Sequence, residues 1–403
     1  MGKYFNITKL PNNINMKKVL FVHDGPIYTD SRKTVFYGVH YSDDLIERYS
    51  YFGDKVSFLM RSKVFSEDEA LNFSVLKHPK FSFIEVPDFK SISSYSQKSK
   101  ATDIIKKAVD EHDVIILRLP SATGAIAFKY AQKINKPILI EKVACVYDAL
   151  WNYDWRGKLM ANYKMKKYQK ILQKASHTIY VTNEFLQNRY PTKGKSIGCS
   201  DVLLSTINTT ILDNRLHKIQ NMKTPLVLGT VAAVDVFYKG QTDVIKAVAQ
   251  LKKQGLQIKY KIVGQGNPQR LADLIKTLKV EDLVEIVGPL RHDKIFEFID
   301  TIDLYIQPSL TEGLPRAVIE AISRGCPAVG SDVGGIPELV CGNALFQAGN
   351  VKEIIKLLSE IQKDDLEKWA KENFKKALEF TPETLDDKRE KFYKEFKQDY
   401  NLQ

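Results

Sequence analysis

Cysteine is scarce in this chain, with four among 403 residues: Cys145, Cys199, Cys326 and Cys341. None sits in a CxxC pair or at a Cys/His spacing that holds zinc. Buried thiols in a reducing compartment are expected, which excludes a disulfide-stapled scaffold and a structural zinc module. Long apolar runs are missing as well. No window approaches 18 uninterrupted apolar residues, and the opening MGKYFNITKLPNN has no hydrophobic signal core. Neither a membrane-spanning helix nor an export signal is therefore expected, and the location is read as cytoplasmic. No Asp-x-Asp is placed to hold a metal ion, and no repeat or low-complexity tract interrupts the chain. The text from Met16, MKKVLFVHDG, has the form of a natural start. The first fifteen residues are either an extension or an upstream start, and both readings stand.

What is present fits a globular protein with two cores. At 44% hydrophobic and 27% charged, 403 residues are too many for one ordinary core and about right for two. Strand and helix alternate throughout, the pattern of doubly wound parallel sheets in an α/β fold. Apolar strands are expected at 18–23, 56–60, 81–86, 114–119, 137–140 and 178–182, and a second series at 226–230, 258–263, 283–287, 302–307 and 328–331. The polar stretch 213–224, DNRLHKIQNMKT, reads as a linker between domains at 1–212 and 225–381, followed by a last charged segment at 382–403.

The net charge of +12 is concentrated. Residues 151–200 hold ten Lys or Arg against two acids. Within them the segment that begins at Arg156 and ends at Lys174, RGKLMANYKMKKYQKILQK, interleaves Leu159, Met160, Tyr163, Tyr168, Ile171 and Leu172 with lysines at helical spacing. Such a basic amphipathic helix either lies on an anionic membrane or packs its apolar stripe on its own sheet. No nucleic-acid recognition motif accompanies it, so nucleic acid is not an expected partner. Trp151, Tyr153 and Trp155, just ahead, either stack on a sugar ring or pack under that helix.

The richest local signal runs over residues 305–338, YIQPSLTEGLPRAVIEAISRGCPAVGSDVGGIPE. It reads as strand, turn-rich loop, helix, strand and second glycine loop. Pro315 stands where a helix can start without wasting a donor, and Gly325 stops it before Pro327. Free amides and the positive end of a helix dipole then follow a parallel strand, where a phosphate is stabilised. Glu312 lies in the loop and Glu320 on the helix. Carboxylates accept from paired hydroxyls of the kind that ribose and sugar rings offer. Gly334 and Gly335 let backbone approach a ligand.

Glu312 and Glu320 have the E-x7-E spacing of retaining glycosyltransferases with the two-Rossmann GT-B fold. The string PSLTEGLPRAVIEAISRGCPAVGSDVGGIPELV resembles family 4, or group 1, enzymes of bacterial capsule and O-antigen synthesis. The resemblance implies two Rossmann-like domains facing a central cleft, with the acceptor on the first, a nucleotide-sugar donor on the second, and a last helix crossing back to the first. It implies that Glu312 accepts from donor sugar hydroxyls and Glu320 from ribose. Lys239 aligns with the lysine that the family offers to the donor diphosphate, and Gly313, Leu314 and Pro315 form the phosphate-facing helix start. Gly264 and Gly266 resemble the family's donor-side glycine loop, and Leu290 or Arg291 would touch the base. One feature departs from the pattern. Relatives carry an arginine five or six residues before the lysine, where this chain has Val234 and Ala233; Arg316 or a residue of the first domain is the expected substitute.

In the first domain His23-Asp24-Gly25-Pro26 ends the first strand and Tyr37-Gly38 opens the first helix. Gly25 either approaches the reaction centre or serves a plain turn. Arg118, with Ser121, lies at a strand's C-terminal end and either faces the donor phosphate or makes a structural ion pair. Glu141 and Lys142 hold a comparable place.

The activity implied by the resemblance is a retaining transfer from a nucleoside-diphosphate sugar, UDP ahead of GDP, to a lipid-linked or glycan acceptor. Retention in the family is ascribed to front-face attack, with the leaving phosphate taking the acceptor's proton. No cofactor or metal is expected beyond the nucleotide-sugar substrate. Peripheral contact with the inner face of the plasma membrane, through residues 156–174, stands as one of the two readings of the basic helix. The alternatives are a GT-B epimerase or phosphorylase, and a non-catalytic GT-B partner subunit.

Overall fold

The computed structural model describes residues 16–39, 41–65, 73–90, 94–202, 204 and 207–402, so the question about the first fifteen residues lies outside it. The chain forms two compact units that divide between Ile138 and Leu139. The first runs β1 (Lys18–Thr29), β2 (Phe36–Gly38), α1 (Asp43–Ser50), β3 (Lys55–Val64), β4 (Ser74–Val75), β5 (Phe81–Glu85), α2 (Lys98–Asp110), β6 (Val114–Leu119) and α3 (Ala122–Lys133). β5, β3, β1 and β6 pair in that order, all parallel. Val19, Leu20, Phe21 and Val22, and all six residues of β6, are buried. Both faces of these strands are covered, so their sequences are continuous apolar runs rather than alternating ones.

Two expectations fail here for local reasons. The first strand does not end at His23-Asp24-Gly25-Pro26. Its register against β3 shifts between Val22 and Pro26, and pairing then resumes to Thr29, so these residues form a bulge. The chain next turns on Asp30, whose Oδ1 accepts from the amides of Thr34 (2.7 Å) and Val35 (2.8 Å). It returns as antiparallel β2, with Tyr28 opposite Tyr37. Tyr37-Gly38 is therefore strand, and the helix expected there starts at Asp43.

The bulge places Asp24 against the start of α3. Its carboxylate accepts from Ala122 N (2.6 Å), Thr123 N (2.9 Å) and Ser121 Oγ (3.0 Å), and pairs with Lys90 Nζ at 2.7 Å. Burial opposes the charge, but Lys90 and the helix amides hold the carboxyl far below the usual range. The N-terminus of α3 thus holds the chain's own anion, and Ser121 is engaged by it.

The division falls after the first residue of β7 (Ile138–Lys142), and the second unit continues with α4 (Val146–Trp151), α5 (Trp155–Leu172), β8 (His177–Tyr180), α6 (Phe185–Arg189) and β9 (Lys195–Gly198), in which β7, β8 and β9 pair in parallel. α7 (Thr209–Gln220) follows. Then come β10 (Leu226–Val231), α8 (Gln241–Lys253), β11 (Ile258–Val263), α9 (Gln269–Leu278), β12 (Val284–Gly288), α10 (His292–Thr301), β13 (Leu304–Gln307), α11 (Arg316–Ser323), β14 (Ala328–Ser331), β15 (Leu345–Phe346), α12 (Val351–Glu360), α13 (Lys363–Ala377) and α14 (Pro382–Asp399). Their sheet is parallel, in the order β12-β11-β10-β13-β14-β15. Leu228, Tyr260, Ile262, Leu304 and Ile306 fill its centre against Val244, Ile245, Val248 and Leu251 of α8.

The stretch 213–224 expected as a linker lies mostly in α7. Leu212, Leu216 and Ile219 pack on the core of this sheet, and buried Arg215 donates to Ile302 O (2.7 Å) and Ile299 O (2.9 Å). The polar text hid an amphipathic helix because its apolar residues are spaced by three and four. α14 packs on β8 and β9. His177 sits among the rings of Phe392, Phe396 and Tyr400, and Lys195 pairs with Glu395 (2.9 Å) and Asp399 (2.7 Å).

The basic helix α5 is two things at once. Tyr168, Ile171 and Leu172 near its end are buried, but Trp155, Leu159 and Tyr163, spaced by four on one face, are 67%, 73% and 63% exposed. Trp151 and Tyr153 ahead of it are exposed too, with Lys158 Nζ 5.7 Å from the Trp151 ring and Arg156 against Trp155. The apolar stripe therefore divides rather than packing throughout. Among the described residues no helix is long and apolar enough to cross a membrane.

Candidate active site

The site grows from β13, which is buried along its length and sits between β10 and β14 at the centre of the sheet. Alternation along the strand puts Tyr305 and Gln307 on one face. Tyr305 Oη accepts from Val231 N (3.3 Å) and donates to Gln307 Oε1 (2.8 Å). Gln307 Nε2 donates to Ser309 Oγ (2.9 Å) and Glu312 Oε1 (3.0 Å), and Ser309 Oγ donates to the same Glu312 oxygen at 2.7 Å. Lys239 Nζ completes the set at 2.7 Å. One carboxylate oxygen is therefore held by three donors, while Oε2 has no partner among the described residues. That leaves Glu312 oriented and still able to accept from a ligand hydroxyl.

Lys239 reaches Glu312 because two backbones touch. It ends a short 3-10 turn, Phe237–Lys239, and Gly240 follows with φ +73° as the N-cap of α8. A Cβ on Gly240 would stand 1.8 Å from Pro308 O, and Leu310 N donates to Tyr238 O at 2.7 Å. Only glycine permits both the left-handed backbone and this approach. No side chain caps α8, and none caps α11, whose N-cap is Pro315. Two helix starts thus offer amides at the C-terminal edge of a parallel sheet, near the Lys239–Glu312 pair.

The glycine loops supply further close contacts. Gly264, after β11, packs on Ala232 O and donates to Gly288 O at 3.0 Å, and Gly266 has φ +112° against the Asp235 carboxylate. Gly313 packs on Val143 O and accepts from Gly335 N at 2.7 Å, while Gly334 (φ +61°) backs onto Glu312 O. Leu314 is half-buried and Pro315 buried at the start of α11. Glu320, on the buried side of α11, lies 3.1 Å from His292 Nε2 at the first residue of α10. That bond raises the pKa of His292 above its ordinary value, against the opposing effect of burial.

The structure brings the expected Lys239 and Glu312 into contact, with Gly313, Leu314 and Pro315 leading from Glu312 into α11 and Glu320 on that helix. Gln307, Ser309, Tyr305 and His292 were not among the expected site residues. A glutamine closing an apolar strand was the available signal for Gln307, whereas His292 carried none. Leu290 is half-buried two residues before His292, and Arg291 is exposed beside Asp293. At the positions where an arginine was expected, the Ala233 carbonyl accepts from Gln241 Nε2 and the Val234 carbonyl from Arg270 Nη2. Arg118 and Gly25 belong to the first unit. Arg118 is buried with its guanidinium 6.0 Å from the Phe21 ring centre, and Gly25 N donates to His23 Nδ1 at 3.0 Å.

Comparison with known proteins decides the family. The profile described as Glycosyl transferases group 1 matches residues 214–377, which span this site. Protein CapJ of Staphylococcus aureus is 30% identical over 391 residues, covering 95% of this chain and 97% of its own. The chain belongs to the group 1 glycosyltransferases. As a group 1 glycosyltransferase it is a transferase enzyme, and the Lys239–Glu312 constellation lies within its family-defining region. Amylovoran biosynthesis glycosyltransferase AmsK of Erwinia amylovora is 38% identical over 109 residues, 25% of this chain and 27% of that one. Sucrose-phosphate synthase from Thermosynechococcus elongatus superposes with a TM-score of 0.66 at 15% identity, over 94% of this chain and 98% of its own. That likeness bears on the fold, which is GT-B.

Proposed function

We propose that this group 1 glycosyltransferase moves a sugar, with retention of anomeric configuration, from a nucleoside-diphosphate donor to a lipid-linked or glycan acceptor in bacterial surface polysaccharide synthesis. UDP stands ahead of GDP as the nucleotide. The observation that carries this reading is the Lys239–Glu312 pair at the sheet edge, near the uncapped starts of α8 and α11. The biosynthetic setting draws support from the similarity to amylovoran biosynthesis glycosyltransferase AmsK.

The chemistry follows from those groups. Sugar transfer breaks the bond between the anomeric carbon and the diphosphate oxygen and forms one from the same carbon to an acceptor oxygen, with an oxocarbenium-like centre between. Lys239 and the helix amides meet the charge that grows on the departing phosphate, where preorganised donors are most effective. Glu312, clamped through Oε1, accepts from a donor-sugar hydroxyl through Oε2. Glu320 exchanges its bond to His292 for ribose hydroxyls. In a front-face reaction the acceptor's proton passes to the leaving phosphate oxygen, so the protein need only hold both partners on one side.

Calorimetric titration of UDP and of GDP tests the donor assignment. One nucleotide is expected to bind selectively, and Glu320→Ala to weaken it by about tenfold, the worth of a hydrogen bond to a charged group. Failure of both nucleotides to bind would remove the donor reading. Turnover of a free nucleotide sugar without acceptor would favour an epimerase or phosphorylase instead.

A lipid-linked acceptor would place the enzyme at a membrane surface, and the exposed face of Trp155, Leu159 and Tyr163 flanked by Arg156 and Lys158 suits an anionic interface. Co-flotation with phosphatidylglycerol vesicles is expected, with Trp155→Ser plus Leu159→Ser lowering it about tenfold or more. Lys166→Glu with Lys167→Glu is expected to lower it further, and flotation unchanged by both pairs would remove the membrane reading.

A further inference from the structure

The segment that delivers Lys239 has little regular structure of its own. Between the end of β10 and the Phe237–Lys239 turn, residues 232–236 are held by neighbours. Ala232 N donates to Val263 O (2.9 Å) and Val234 N to Gln265 O (3.0 Å), which binds the first half to the β11–α9 loop. In the second half the Asp235 carboxylate lies against Gly266, and a side chain from α9 grips the backbone carbonyls. Arg270, in the first turn of α9, donates from Nη2 to both Val234 O (3.2 Å) and Val236 O (3.3 Å), and its guanidinium lies 4.5 Å from the ring centre of Phe237. Phe237 itself is exposed, so the ring is not drawn there by a core. Arg270 Nε and Nη1 are buried without a hydrogen-bond partner among the described residues. Desolvated donors of this kind carry a cost that a shorter, apolar residue would avoid.

We propose that Arg270 is a positioning residue for Lys239: by bridging the Val234 and Val236 carbonyls and stacking on Phe237, it holds the turn from which the lysine reaches the donor diphosphate. The inference rests on the assignment of Lys239 to the donor. The turn is gripped on its other side by the donor loop, through Leu310 N to Tyr238 O and the Gly240–Pro308 approach. Arg270 is the grip from α9. A planar guanidinium can bridge two carbonyls and lie against a ring at once, which a point-charge ammonium cannot.

A double-mutant cycle separates this role from a general contribution to folding. UDP and GDP are titrated calorimetrically into the wild type, Arg270→Ala, Lys239→Ala and the double variant, with Arg270→Lys beside them. Arg270→Ala is expected to weaken the bound nucleotide by about tenfold, and by less than about twofold when Lys239 is already absent, because coupled residues do not add. Arg270→Lys is expected to reproduce most of the loss while keeping the charge, and it stands in if Arg270→Ala fails to fold. An equal factor in both backgrounds, or full affinity in Arg270→Lys, would overturn the proposal. Unchanged affinity in Lys239→Ala would remove the donor assignment of the lysine itself, and a loss in Arg270→Ala beside it would show that the arginine acts by another route.

Discussion

Glu312→Gln is expected to lower the rate of sugar transfer by roughly 10²- to 10³-fold, the scale for losing one preorganised polar contact to a transition state. Glutamine is nearly isosteric and can still accept through its carbonyl oxygen from Ser309, Gln307 and Lys239. Local packing should therefore survive. What goes is the charge, and with it the second anionic oxygen. In the carboxylate, Oε1 is occupied by Lys239, Ser309 and Gln307 at 2.7 to 3.0 Å while Oε2 stays open. In the amide, the group at the open position is a donor and repels the hydroxyl hydrogen that Glu312 would accept. Nucleotide affinity should change much less than turnover, because the nucleotide does not use this oxygen. A variant that turns over at the wild-type rate would show that the open oxygen has no part in the reaction.

The second large effect is a matter of one carbon atom. Gly240→Ala is expected to cost about 2–4 kcal/mol of stability and to abolish measurable nucleotide binding, through the left-handed backbone and the collision together. The added Cβ would lie 1.8 Å from Pro308 O, a backbone atom that cannot rotate away. Relief requires the Phe237–Lys239 turn and the loop carrying Glu312 to part, which separates the ion pair. Gly255→Ala supplies the control. Its φ is +83°, similar to that of Gly240, but nothing lies within 4 Å of the new atom, so only the backbone penalty of about 1 kcal/mol applies. Chemical denaturation of both variants measures the difference, which is the collision alone. Equal losses at the two sites would mean that the close approach of Gly240 to Pro308 is not a constraint.

Much of the architecture was legible because buried strands advertise themselves. β6 and β14 coincide with the runs expected at 114–119 and 328–331, since a strand buried along its whole length carries few polar residues to blur its ends. β11 was legible at 258–263 through alternation instead, with Ile258, Tyr260 and Ile262 buried and Lys259 exposed. The short strands β2, β4, β9 and β15 left no such trace. Two to four residues carry too little periodicity, and they are strands because a neighbour's edge was available. The extension of β1 past Asp24-Gly25-Pro26 ran against its own turn residues. It took the pairing with β3 and the closure of the Asp30 turn to override them.

The same division runs through the site. Residue order alone determined that a loop and helix start follow β13, that Glu312 and Glu320 flank that start, and that Lys239 stands before a glycine at another helix start. These are local facts, set by turn chemistry and helix spacing. Only the tertiary structure decided that Lys239 meets Glu312, 73 residues away, that the Tyr305–Gln307–Ser309 chain leaves one of its oxygens open, and that His292 holds Glu320. It likewise decided that half of the basic helix turns its apolar residues outward and that Arg270 grips the lysine's turn. Such pairings depend on which loops a parallel sheet gathers at one edge, and strand order is a long-range property that no short window of sequence contains.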